Sequence, residues 1–243
     1  MNTGNTTHNM KDMIKKIKFK PAIKTLGFYC PSRVFDFKEL RDEAMFFSCS
    51  PSYIGESGNY APITRLLIDR VLSRITEGHI INLGADKQFV VDTRVNMLMR
   101  GQYPSIPGWH CDDVPRDKKY AQPDFNLCDE DTQHFLVIIS DTKDPANCIS
   151  GTEFITNARE YNLDKNNIYG SLNTEVQKDE SKDTRFVRER EIVQFNQAAI
   201  HRASPAKTSG WRYFFRLSYT HRKPVNEIRN QTQIYVNPDD AGW

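Results

Sequence analysis

The stretch that decides the reading is His201-Arg-Ala-Ser-Pro-Ala-Lys-Thr-Ser-Gly-Trp-Arg-Tyr-Phe-Phe-Arg-Leu-Ser-Tyr-Thr220. A histidine closes the apolar run Ala198-Ala199-Ile200, a turn rich in Pro, Ser and Gly reverses the chain, and Tyr213–Thr220 then alternates as a strand. Residues i and i+2 of a strand share a face, so Phe214, Arg216, Ser218 and Thr220 lie opposite Tyr213, Phe215, Leu217 and Tyr219. A guanidinium and a hydroxyl in such aromatic company are costly to bury unless an anion meets them. A ligand carboxylate would satisfy both, gripped by Arg216 and hydrogen-bonded by Ser218, with Arg212 as the alternative cation.

Upstream runs Tyr103-Pro-Ser-Ile-Pro-Gly-Trp-His-Cys-Asp-Asp113. In extended chain His110 and Asp112 present an imidazole and a carboxylate to the same side while Cys111 points away, as a small core residue would. Asp113 could replace Asp112 only if the strand bulges there. Two histidines and one carboxylate on one face leave three coordination positions open, which suits iron(II) that must bind a co-substrate and oxygen. H-x-D alone is a weak signal; His201 as the distant imidazole, followed by Arg216 and Ser218 in order, strengthens it.

These residues resemble the iron(II)- and 2-oxoglutarate-dependent dioxygenase superfamily, whose double-stranded β-helix carries H-x-D, a distant His and a following R-x-S. The resemblance covers roughly residues 90–220, and Ser150-Gly-Thr-Glu-Phe154 is similar to a Gly-Thr turn found between the two ligand strands. It implies a jelly roll with iron(II) on His110, Asp112 and His201. It also implies 2-oxoglutarate anchored by Arg216 and Ser218, with O2 as oxidant. The implied reaction is hydroxylation of a C–H bond with release of succinate and CO2; desaturation, cyclisation and demethylation use the same centre. Arg202-Ala203-Ser204 is also R-x-S but precedes the turn.

The remaining chain gives a setting. With 243 residues, 38 % hydrophobic and 26 % charged, it is expected to be one soluble domain, residues 1–243, able to bury a core without disulfides or structural metal. Residues 1–10 read as a polar tail and 11–24 as a lysine-dense helix or strand with a solvated basic face. Ala61–Ile75 reads as an amphipathic helix on Ile63, Leu66, Leu67, Val71, Leu72 and Ile75. Strands are expected at 91–99, 134–141, 185–195, 213–220 and 231–236. In the first, Val91, Thr93, Val95, Met97 and Met99 would form the core face against polar Asp92, Arg94 and Asn96. Segments 113–131 and 157–183 read as long loops. The expected class is therefore mainly β (α+β), a jelly roll over residues 90–220 with N-terminal helices outside.

A net charge of +2 and no basic–aromatic stripe disfavour nucleic acid, leaving a small polar metabolite as the expected substrate. Specificity lies in loops, where Trp109, Tyr103, Tyr120, Asp113 and Arg116 are candidate substrate contacts with packing or solvation as the competing reading. A nucleic acid or protein side chain as substrate, or a binding module without redox chemistry, are the rival functions. His134 reads as structural, and His79 and His221 have no identifiable partners. Five cysteines without a C-x-x-C pair, and no stretch near the ~20 apolar residues of a membrane span, fit a cytoplasmic address and no membrane partner. No signal of oligomeric state is visible.

Overall fold

The computed structural model describes residues 14–30, 35–56, 61–78, 84, 86–118, 121–141 and 148–236. The expected tail at 1–10, His79 and Tyr120 lie outside them. The strands are β1 (Ile14–Phe19), β2 (Ile23–Phe28), β3 (Met45–Phe47), β4 (Gln88–Leu98), β5 (Gln102–Tyr103), β6 (Gln133–Ser140), β7 (Thr152–Ile155), β8 (Arg159–Asp164), β9 (Thr184–Phe186), β10 (Glu191–Asn196), β11 (His201–Ala203), β12 (Gly210–Thr220), β13 (Glu227–Arg229) and β14 (Tyr235–Val236). The helices are α1 (Phe37–Arg41), α2 (Pro51–Gly55), α3 (Pro62–Gly78) and α4 (Ile168–Lys178).

Two antiparallel sheets carry the fold: β2-β10-β6-β12-β4 and β11-β7-β9, the second continued by a bridge between His110 and His201. The chain alternates between them. β4 lies in the larger sheet, the His110 segment in the smaller, β6 in the larger, β7 and β9 in the smaller. β10, β11 and β12 then fall in the larger, smaller and larger sheet. This winding is a double-stranded β-helix, which hides most strand edges by wrapping the two sheets around one interior.

Each sheet has its own cover. The odd face of β12, Tyr213, Phe215 and Leu217, packs with Val91, Val95, Phe135, Val137 and Ile139 under Ile63, Leu67, Ile68, Val71 and Ile75 of α3. On the far side β1, β8 and α4 bury Ile17, Phe19, Leu163, Ile168, Leu172 and Val176 with Trp109 and Cys111 against the smaller sheet. Between the sheets Leu136, Ile138, Phe154, Val193 and Phe195 form the inner core.

Several expectations change. Leu66 of α3 is exposed. Met97 and Met99 are exposed, while Asp92 and Asn96 are buried, because the even face of β4 looks into the barrel rather than to solvent. One expectation holds: within the lysine-dense segment Ile14–Phe19 forms strand β1, paired with β8, with exposed Lys16 and Lys18 alternating with buried Ile17 and Phe19. The 157–183 segment is not a loop: it holds β8 and α4, whose apolar residues cover the smaller sheet. At 231–236 only Tyr235–Val236 is strand, pairing with β5.

Candidate metal centre

His110 and His201, 91 positions apart, become neighbours because their backbones exchange both hydrogen bonds of an antiparallel pair, each 2.9 Å. Their rings stand 4.5 Å apart between centroids. Asp112 follows on the same side, its Oδ2 3.4 Å from Nε2 of His201. One potential ligand atom from each of the three lies within 4.8 Å of the others.

Both imidazoles are tethered in the same way. Nδ1 of His110 lies 3.0 Å from the carbonyl of Gly108, and Nδ1 of His201 lies 2.9 Å from the carbonyl of Ala199. A carbonyl can only accept, so each Nδ1 carries the proton and each Nε2 keeps a lone pair for a cation. Burial, helped by the neighbouring His201, pushes His110 down to about 4, which keeps it neutral at physiological pH. Burial works against the charge of Asp112, yet the guanidinium of Arg216 and the ring of His201 hold its carboxyl well below the usual range. An Nε2 lone pair on each imidazole and an ionised carboxylate make a donor set that suits a divalent metal. Gly108 sits at φ +137°, a conformation that L side chains rarely adopt, and its carbonyl is the one that orients His110. From behind, Tyr169 of α4 donates to the carbonyl of Cys111 at 2.8 Å.

Arg216 faces into the barrel as its alternation requires, and meets anions there. One terminal nitrogen contacts Asp112 and the other lies 2.8 Å from Oδ2 of Asp92. Arg222 reaches the same Asp92 oxygen at 2.6 Å, and Ser48 N–H donates to Oδ1 at 2.9 Å. The charges of Arg216 and Arg222 overcome burial and lower Asp92 to about 2. The hydroxyl of Ser218, on the same face as Arg216, meets Nδ1 of His134 at 2.9 Å. His134 is fully buried and packs at a tilt against the Phe195 ring, 4.9 Å between centroids.

Arg212 shares the inward face. It is 3 % exposed, its Nε donates to the carbonyl of Ser150 at 2.7 Å, and no carboxylate pairs with it among the described residues. Burial pulls it down to about 10. Arg202, the competing R-x-S arginine, points outward to Glu153 at 2.8 Å and over the Trp109 ring at 4.4 Å.

The candidate substrate contacts separate. Asp113 turns away from the cluster at φ +52° and, with Arg116, Gln197, Thr220 and Arg222, lines a cavity of about 390 Å³ beside it. Trp109 is instead sealed in the core at 2 % exposure, and Tyr103 is held in the β5–β14 ladder. His221 does have partners, Asp129 at 3.0 Å and Asp86 at 3.5 Å. Asp92 and Arg222 were missed: the first lies on a strand face that reads as solvated, the second in a loop without pattern.

No protein-family model matches the chain, and a search of curated proteins finds no match. Among solved structures, HygX from Streptomyces hygroscopicus, with nickel and 2-oxoglutarate bound, aligns over 92 % of this chain and 88 % of its own at 12 % identity and TM-score 0.43. An N-substituted L-amino acid dioxygenase from Burkholderia ambifaria AMMD aligns over 77 % and 72 % at 14 % identity and TM-score 0.37. The nickel complex of ThoJ, a non-heme monooxygenase, aligns over 79 % and 73 % at 12 % identity and TM-score 0.32. Likeness at this level decides no chemistry, which rests on the geometry above.

Proposed function

We propose that this chain is an iron(II)- and 2-oxoglutarate-dependent dioxygenase that hydroxylates a C–H bond of a small polar molecule, such as an amino acid or natural-product intermediate. The observation that carries this is the pair of imidazoles tethered through Nδ1, with an ionised Asp112, inside a double-stranded β-helix. His110, Asp112 and His201 would hold iron(II), which supplies activation of O2 coupled to oxidative decarboxylation of 2-oxoglutarate to succinate and CO2.

The residues around the metal have separable work. Arg216 keeps Asp112 ionised and oriented, and is held in turn by Asp92, which Arg222 also grips. Because Arg216 already has two carboxylates, buried Arg212, which meets no carboxylate among the described residues, is the better partner for the far carboxylate of 2-oxoglutarate. The cavity at Asp113 and Arg116 would admit the substrate next to Asp112.

Anaerobic titration with iron(II) and then 2-oxoglutarate tests the reading. A visible charge-transfer band is expected on chelation, together with iron-dependent succinate release in air that rises with particular compounds from a metabolite pool. Asp112→Ala should abolish both; a variant that keeps the band and the turnover sinks the assignment.

A further inference from the structure

Resting on the oxygenase reading, we propose that the substrate carries an oxyanion, a carboxylate or phosphate group, and that Arg94 and Arg229 bind it. Arg94 sits at the middle of β4, on the even face that looks into the barrel, directly across from Phe214 and one alternation from the Asp92–Arg216 pair. It is half-buried, and among the described residues it makes neither a hydrogen bond nor an ion pair. Arg229 stands close by: β13 pairs with β3, Arg229 opposite Met45, and β3 is tied to β4 through Phe46 N–H on Thr93 Oγ1 at 2.7 Å. It too is half-buried without an ion pair among the described residues, its guanidinium 4.1 Å over the Phe47 ring.

A partly desolvated guanidinium without an anion is costly to keep unless something arrives to meet it. The strongest charges acting on Arg94 are two cations, Arg229 and Arg216, and these outweigh Asp92 and Asp112. Neither carboxylate is free to help. Asp92 is shared by Arg216 and Arg222, and Asp112 already contacts Arg216 and would be a ligand of the metal. Loading the centre does not relieve the excess, because the two positive charges of iron(II) cancel the two negative charges of 2-oxoglutarate. The far carboxylate of 2-oxoglutarate would be met by Arg212, which is buried without a carboxylate partner among the described residues. What remains is an inward cation beside the metal centre with a second cation at its flank, a pair that matches the oxygens of one anionic group.

The test uses inorganic phosphate and acetate as probes, titrated calorimetrically into the full-length protein. One series is metal-free. The other is loaded with manganese(II) and N-oxalylglycine, an unreactive isostere of 2-oxoglutarate. Saturable binding of at least one probe is expected in both series, weakened at least tenfold by Arg94→Gln and by Arg229→Gln. Arg94→Gln should leave N-oxalylglycine affinity within twofold and the melting temperature unchanged or raised, since it removes an unpaired charge; Arg94→Lys should recover part of the probe binding. The proposal falls if neither probe saturates in either series, or if Arg94→Gln binds them as the parent does. It falls equally if that variant weakens N-oxalylglycine as much as the probes, because the anion would then be the co-substrate's. Absence of manganese or N-oxalylglycine binding in the parent protein, with the metal-free probe binding intact, would instead overturn the oxygenase reading alone.

Discussion

His110 and His201 each spend Nδ1 on the carbonyl two residues before it, so the tautomer that a metal requires is set by the backbone rather than by a further side chain. The two arginines of β12 differ in the same local way. Arg216 is neutralised by Asp112 and Asp92, whereas among the described residues Arg212 meets the Ser150 carbonyl and no carboxylate. Removing a charge-assisted contact to a carboxylate costs about 1.5–3 kcal/mol, or roughly 10- to 100-fold in affinity. Arg212→Gln should therefore raise the KM for 2-oxoglutarate at least tenfold with kcat little changed. Arg216→Gln should instead lower iron affinity, because it leaves Asp112 and Asp92 without their shared cation. Steady-state kinetics beside a metal titration separates the two, and the reverse pattern would restore Arg216 as the anchor. Residue types and spacing singled out His110, Asp112 and His201, which the fold brings together, and favoured Arg216 over Arg212 for the co-substrate; the position of Asp92, which no local pattern carries, is what turns our proposal to Arg212.

At the scale of elements, α3 and β4 explain most of what the pattern revealed and concealed. The helix was legible because its apolar residues recur at one face, and its start is secured by a group far from it in pattern. Glu43 accepts from the N–H groups of Ile63 and Thr64, at 3.2 and 2.7 Å, and from the Thr64 hydroxyl, which also meets the Tyr213 hydroxyl at 2.8 Å. Glu43→Ala would strand these donors in a buried place and should cost about 2–4 kcal/mol of unfolding free energy. Urea denaturation measures it, and a loss below about 0.5 kcal/mol would mean that solvent takes over the cap. β4 shows the converse. Its alternation was visible, but a polar face reads as solvent-facing in an open sheet and as site-facing in a closed one. For the same reason α4 escaped notice: its short apolar face is interrupted by polar residues and gains its stability only on the smaller sheet.

Across the whole molecule, closure of the two sheets buries titratable groups that respond to acid together. His134, like His110, is pushed down to about 4 by burial, against about 6.5 for an exposed imidazole. The unfolded chain takes up protons on these rings between about pH 6.5 and pH 4 while the folded chain does not, so stability falls as the pH drops through that window. Each ring accounts for roughly 3 kcal/mol at full extent. Asp92, lowered to about 2, adds a second loss below about pH 4. Metal-free protein should therefore show lower urea midpoints at pH 4.5 than at pH 7.5, and His134→Gln should flatten part of that difference. A midpoint indifferent to pH over this range would contradict the buried neutral state of these rings.

What the amino-acid sequence determined alone is what depends on short range: the α3 face, the alternation of β4, β6 and β12, and the residue types able to hold a metal. Periodicity and spacing are properties of neighbouring residues, so they survive without a fold. Only the tertiary structure decided the rest, because it joins residues across the barrel: His110 to His201 through one backbone bridge, Arg216 to Asp92, Ser218 to His134. Which charges neutralise one another, and which guanidiniums stay available for a ligand, follows from those long-range pairings, and no local pattern encodes them.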